Sequence, residues 1–276
     1  MGAFSGKIAV VTGGASGLGR GLCEQLGRDG AIVVVTDVNE PGARQVADEI
    51  DDAGGQAMAL RLDVTDSEQV REVLDQIISS HGRLDYVFNN AGIGCGGEFQ
   101  DATPDVWRQM VNVNLLGAAY VMHYAYLQMI KQGAGQIVNI ASIYGVCPGV
   151  LAAPYSATKH ALAALGLSVQ PEASAFGIDI TTICPGYLDT NIFAAAAPRG
   201  WDEKETLSRV PFKLVSVETA VRRILRAVRR RRLLYVFPWY ANGMWRLQRL
   251  SPSLMAWVNA IGMRGQRKRF GTTAKR

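Results

Sequence analysis

Tyr155 and Lys159 stand four residues apart in A-A-P-Y-S-A-T-K-H-A-L-A-A-L, a stretch of small, helix-compatible residues. On a helix that spacing puts them one turn apart on the same face. A phenol beside a buried cation is a proton-transfer pair, because the cation favours the phenolate and a free phenol ionises only near pH 10. The competing reading of such a pair is an interfacial tyrosine next to a solvated lysine. The rest of the chain has to decide between them.

A second group of residues points to a nucleotide. Gly13, Gly17 and Gly19 fall in T-G-G-A-S-G-L-G, between the apolar run K-I-A-V-V-T and the helix-patterned R-G-L-C-E-Q-L-G. Glycine lets a backbone approach a pyrophosphate closely, and the following helix offers unpaired N–H groups and a positive dipole end. Asp37 ends the next apolar run, A-I-V-V-V-T-D, where a carboxylate accepts hydrogen bonds from ribose hydroxyls and repels a 2′-phosphate. Neither Ser16 nor Val38 supplies a basic group to hold that phosphate, so the expected cofactor is NAD rather than NADP.

These residues need a scaffold, and the periodicity supplies one. Strands are expected at 7–12, 31–37, 57–62, 84–89, 136–140, 179–184 and 233–237, with helices at 43–52, 68–81, 104–131, from 155 onward, and at 217–230. The strands are continuous Val/Ile/Leu runs, as a parallel sheet covered on both faces requires. Seven of them fit an α/β, three-layer, doubly wound Rossmann-type fold. The expected organisation is one catalytic domain over 1–240, including an Ala/Pro/Gly-rich excursion at 188–213, and an extension over 241–276. The excursion reads as a mobile lid.

Composition excludes several other classes. With 276 residues, 48% of them hydrophobic and 19% charged, the chain has material for an ample core. Its four cysteines include no C-x-x-C pair and its three histidines are scattered, so no zinc site is expected. Without a signal segment, a reducing, cytoplasmic setting is the simplest expectation. The net charge of +5 gathers in R-A-V-R-R-R-R at 226–232 and in the basic tail. No finger, recognition helix or aromatic RNA motif accompanies it, so no nucleic-acid partner is expected. A solvated helix end is one reading of this charge, and attraction to an anionic membrane face is the other.

Together these motifs resemble the short-chain dehydrogenase/reductase family over nearly the whole length to about residue 240. N-N-A-G at 89–92 resembles the family motif after the fourth strand. Asp63 and Val64 match residues that contact adenine, and Asn114 lies in V-N-V-N-L-L-G. Ser142 lies in I-V-N-I-A-S, and Pro185–Gly186 open a segment ending at Thr190. The resemblance implies a sheet order of 3-2-1-4-5-6-7. It assigns cofactor contacts to Gly13, Ser16, Gly17, Leu18, Gly19, Asp37, Asp63, Val64, Asn90, Ala91, Gly92, Tyr155, Lys159, Pro185, Gly186, Leu188 and Thr190. It makes Tyr155 the acid/base, Ser142 a second hydrogen-bond partner of the substrate oxygen, and Lys159 a holder of the nicotinamide ribose. Asn114 would hold a water linking Lys159 to solvent. The family also implies a homodimer or homotetramer.

The substrate end is less constrained. Ser142, Ile143, Val150, Tyr155, Tyr187, Phe193 and Phe212 are its expected lining, mostly apolar, with no arginine placed for a small carboxylate. The extension after Phe237 is rich in Trp, Met and Leu; Trp245, Leu247, Leu250, Leu254 and Trp257 leave apolar faces with arginines between them. Gly243, Pro252 and those charges keep it from spanning a bilayer. It packs on its own domain or a partner subunit, or forms an interfacial helix pair that admits a lipophilic substrate. This end resembles family members that act on steroids and other lipid alcohols. The expected activity is therefore NAD-dependent oxidation of a lipophilic secondary alcohol or reduction of a ketone, a hydroxysteroid being one candidate. A 3-oxoacyl reductase, a small-alcohol dehydrogenase and a catalytically silent NAD-binding scaffold are the alternatives.

Overall fold

The computed structural model describes residues 2–190, 192, 210 and 212–270, with side chains to 267. Alternate residues of each central strand feed opposite faces of one sheet. Ala9 and Val11 of β1 (Ile8–Thr12), with Val33 and Val35 of β2 (Ile32–Asp37), enter a core shared with α1 (Gly17–Arg28), α2 (Glu40–Asp52) and α7 (Val217–Arg229). Ile8, Val10 and Val34 enter a second core, shared with α3 (Ser67–His81) and α5 (Ala118–Gln132). Apolar residues on both strand faces thus give three layers.

The sheet is completed by β3 (Gln56–Arg61), β4 (Tyr86–Asn89), β5 (Gly135–Ile140), β6 (Ile178–Pro185) and β7 (Leu234–Phe237). Seven strands pair in parallel in the order β3-β2-β1-β4-β5-β6-β7, the order the resemblance implies. The chain reverses its winding between β1 and β4, which opens a crevice at the strands' C-terminal ends.

Two helix expectations change. The helix anticipated at 43–52 starts at Glu40, because Asn39 accepts from the Gly42 amide and Pro41 is tolerated in a first turn. The single helix anticipated at 104–131 is α4 (Pro104–Val111), a π-helical segment Asn112–Gly117, and α5. The widened turn carries Asn114. The tyrosine helix α6 (Ala153–Ser174) opens two residues before Tyr155. After β7 the extension forms α8 (Trp239–Leu250) and α9 (Pro252–Phe270), separated at Ser251 where Pro252 begins a new helix. Most of the excursion anticipated at 188–213, including Phe193, lies outside the described residues.

Candidate active site

A cleft of about 1250 Å³ runs along the C-terminal ends of the strands. Every described residue anticipated for cofactor or substrate lines it except Phe212; of the four anticipated catalytic residues, Asn114 alone does not. Phe212 stands behind the wall: its ring stacks on Tyr240 at 4.1 Å and 2°, and on Tyr187 at 6.4 Å. It supports the lining residue Tyr187 rather than forming the lining. Its expected role is corrected accordingly.

The nucleotide end is built from backbone. Gly13 has φ +66°, and a Cβ there would come within 2.9 Å of the Ala91 Cα; Gly17 has φ +52°. Both conformations favour glycine. Thr12, which the motif reading passed over, joins the two crossing loops. Its Oγ1 accepts from the Asn90 amide at 3.1 Å and the Ala91 amide at 3.0 Å. Asn90 returns the tie, its Nδ2 donating to the carbonyls of Thr12 at 2.9 Å and Gly13 at 3.1 Å. Asn90 thus shapes the glycine turn as well as lining the cleft.

Asp37 is fixed at the rim of the same turn. Its Oδ2 accepts from the Ala15 amide at 3.1 Å and its Oδ1 from the Asn39 amide at 2.9 Å. Each carboxylate oxygen has further acceptor capacity, which suits a ribose diol. Asp63 accepts from the Thr65 amide at 2.9 Å and the Thr65 hydroxyl at 2.7 Å. Lys159 is the one Lys or Arg among the described cleft-lining residues, and it belongs to the other end. A dinucleotide fits this arrangement: a side-chain-free turn before a helix N-terminus, then a fixed carboxylate with no basic group beside it among the described lining residues.

At the other end Ser142, Tyr155 and Lys159 converge. Ser142 follows β5, is buried, and accepts from the Tyr144 amide at 3.1 Å. A hydrogen bond between Ser142 and Tyr155 favours the phenolate, but burial outweighs it and pushes the phenol up to about 12. Part of the Tyr155 surface still faces the cleft, so solvent there softens the shift without reversing it. Lys159 is buried, donates to the Ile140 carbonyl at 2.9 Å, and lies 5.8 Å from the Tyr155 ring centre. Burial pulls its ammonium down to about 8. Desolvation is the largest effect on both groups.

Asn114 is fully buried and holds the loop after β4 by both backbone polar groups of one residue, Ile93. Its Oδ1 accepts from the Ile93 amide at 2.8 Å, and its Nδ2 donates to the Ile93 carbonyl at 2.9 Å. A Cβ on Gly92 would come within 3.1 Å of Asn114 Oδ1 and 3.3 Å of Lys159 Nζ. The missing side chain leaves space flanked by both groups.

The sequence reading missed the cleft residues Cys95, Tyr144 and Leu151, and a set from α9: Asn259, Gly262, Gly265 and Gln266. Cys95 and Leu151 sit on loops, and Tyr144 in a single 3-10 turn (Ile143–Gly145), all without a periodic signal. The α9 set lies some 100 residues beyond the tyrosine helix, and only the fold brings it to the cleft.

The family model for short chain dehydrogenases matches residues 7–199. The chain belongs to the short-chain dehydrogenase family. It is therefore an oxidoreductase of a family that uses a nicotinamide cofactor. A 2,5-dichloro-2,5-cyclohexadiene-1,4-diol dehydrogenase of Sphingobium indicum is 37% identical over 195 residues, 71% of this chain and 78% of that relative. A short-chain dehydrogenase/reductase structure from Burkholderia phymatum in complex with NAD superposes with a TM-score of 0.83 at 26% identity, covering 92% of this chain and 96% of that one. A structure from Beutenbergia cavernae with NADP bound at low occupancy gives a TM-score of 0.70 at 34% identity, covering 79% and 87%. Both forms of the cofactor occur among proteins of this shape.

Proposed function

We propose that this dehydrogenase uses NAD to oxidise a lipophilic cyclic secondary alcohol, or to reduce the matching ketone, a hydroxysteroid being the bulky case. The observation that carries the reading is the meeting of Ser142, Tyr155 and Lys159 in one cleft with a glycine turn and Asp37. Similarity to a dehydrogenase of a cyclic diol supports a ring-bearing alcohol. Asp37, without a cation beside it in the lining, supports NAD over NADP.

The nucleotide would be held by Gly13, Ser16, Gly17, Leu18 and Gly19 at the pyrophosphate, by Asp37 at the adenosine ribose, and by Asp63 and Val64 at the adenine. Asn90, Ala91, Gly92, Pro185, Gly186, Leu188 and Thr190 complete the groove. When bound, NAD supplies the hydride acceptor, which is chemistry no side chain here can provide. The chain's own part is orientation and proton movement. Ser142 Oγ and Tyr155 Oη grip the substrate oxygen from the β5 and α6 sides. Tyr155 takes the alcohol proton in oxidation and returns it in reduction. With its phenol raised to about 12, Tyr155 holds its proton at neutral pH. Oxidation is accordingly favoured by rising pH and reduction by falling pH. Lys159, tied to Ile140, presents its ammonium beneath the phenol, and the space at Gly92 between Lys159 and Asn114 accommodates a proton-relaying water.

The outer side of the extension fits an anionic lipid surface. Trp239, Leu250 and Trp257 are 81%, 85% and 59% exposed, and no acidic residue follows Glu218 in the chain. That pairing of exposed tryptophan and leucine with net positive charge suits the headgroup region. Among the described residues no helix is long and apolar enough to cross a membrane, so the contact is peripheral. As in the family, the active particle is a homodimer or homotetramer.

The test is a substrate panel. Purified protein with NAD and cyclohexanols, decalin alcohols and hydroxysteroids should form NADH saturably. Saturable NAD binding with no turnover across the panel would instead identify a silent scaffold. Turnover confined to acyl-thioester ketones would favour the 3-oxoacyl reductase.

A further inference from the structure

Helix α9 has two unlike faces. Met255 is buried, and Asn259, Gly262 and Gln266 follow it at helical spacing, all three lining the cleft together with Gly265. Leu254, Trp257, Val258 and Ile261 are exposed on the other side. The helix is tied to both loops that frame the substrate end. Arg267 grips Glu98 in a forked pair at 2.8 and 3.2 Å, and Asn259 Nδ2 donates to the Pro148 carbonyl at 3.5 Å. Glu98 follows directly on Gly97, whose amide donates to the Leu151 carbonyl at 2.9 Å, so the grip reaches the rim formed by Val150 and Leu151.

Both glycines line the cleft, Gly262 on this side of the helix and Gly265 at its edge, in phase with Leu254, Val258 and Ile261. Beyond the adjoining residues and the helix's own nearby backbone, no described heavy atom lies within 4 Å of where a Cβ on Gly262 or Gly265 would stand. No close packing demands glycine, and glycine weakens a helix relative to alanine. What their lack of a side chain does is leave volume in the cleft.

The geometry points to α9 as the substrate-selecting wall of the cleft. Gly262 and Gly265 open room for the far end of a bulky substrate, and the Arg267–Glu98 pair holds the wall in place. This deepens the dehydrogenase reading and rests on it for the identity of the ligand. Neither glycine, Arg267 nor Glu98 touches the reacting atoms, so all four are positioning or specificity residues.

Cys95 offers a probe that needs neither substrate nor cofactor. It lines the cleft, whereas Cys23, Cys147 and Cys184 are buried. Alkylation of Cys95 by N-ethylmaleimide, followed by peptide mass spectrometry, reads access past the wall. Arg267→Gln should speed it about fivefold, as loss of one partly exposed ion pair allows. Arg267→Lys should restore much of the protection. Gly262→Leu should slow labelling and lower the kcat/KM ratio of a hydroxysteroid over cyclohexanol by about tenfold or more. NAD affinity should stay unchanged in each. Gly262→Ala checks folding, since it should raise the melting temperature. Labelling within twofold of wild type in both R267Q and G262L would overturn the wall. If wild-type protein oxidises no alcohol, the dehydrogenase reading fails, while Cys95 labelling still decides whether α9 closes the cleft.

Discussion

Lys159 reaches from the second turn of α6 to the carbonyl oxygen of Ile140, the last residue of β5, at 2.9 Å. One hydrogen bond thus ties the proton-transfer helix to the central sheet and fixes a cation inside the protein. The cost is desolvation, visible as the fall of its ammonium to about 8.

A pH-dependent stability follows. Below about pH 8 Lys159 is charged in both the folded and unfolded chain, and the folded state carries the burial penalty. Between pH 8 and the ordinary 10.5 the unfolded chain still binds a proton that the folded one has released, so folding stability rises with pH. Tyr155 acts oppositely, but only above pH 10, where the unfolded phenol ionises first. Lys159→Met should therefore be more stable than wild type at pH 7, by an amount of order 3 kcal/mol at most, and the gap should narrow toward pH 10. Urea melts at pH 7 and pH 10 check this; a constant gap contradicts it.

Asn114→Leu should remove both hydrogen bonds to Ile93 and leave its part-buried amide and carbonyl without these partners. The expected loss is about 2 kcal/mol, or roughly 4–8 °C in melting temperature. Asn114→Asp keeps an acceptor for the Ile93 amide and should lose less at a pH where it is protonated. Calorimetry of the two variants side by side distinguishes a structural clamp from a residue with no such load.

The π-helical turn that carries Asn114 shows where sequence reading stops. An apolar run from 104 to 131 reads as one helix, because nothing in its periodicity marks an inserted residue; only the pull of Asn114 on the Ile93 loop does. The sheet was legible for the converse reason. Strands such as I-V-V-V-T are apolar on both faces and have few folds open to them. The glycine turn, Asp37, Ser142, Tyr155 and Lys159 were legible because motif and element boundary coincide. Phe212 and α9 were not, since a side chain's choice between lining a cleft and buttressing it depends on partners such as Tyr240, distant in sequence.

Asp37→Ala should raise the KM for NAD by about 10- to 100-fold, the loss of a charge-assisted acceptor, while NADP is affected far less because a repulsion disappears with it. Steady-state kinetics with both cofactors measure this. A wild-type enzyme that prefers NADP contradicts the assignment.

Vesicles test the outer face of the extension. Co-sedimentation with vesicles about one-third phosphatidylserine should be strong at low salt, weaken at high salt, and fall in a Trp239→Ser/Trp257→Ser variant. Protein that stays in the supernatant throughout contradicts the membrane contact. A concomitant shift in the variant's oligomeric state would assign the face to a subunit interface instead.

The central claim is that Tyr155 moves the proton on a cyclic alcohol in an NAD-dependent reaction. Initial rates of NADH formation from a cyclic secondary alcohol, wild type against Tyr155→Phe, with NAD affinity measured in parallel by calorimetry, test it most directly. The account predicts a loss of about 10²- to 10⁴-fold in kcat with NAD affinity nearly intact. A Tyr155→Phe enzyme as fast as wild type would contradict it.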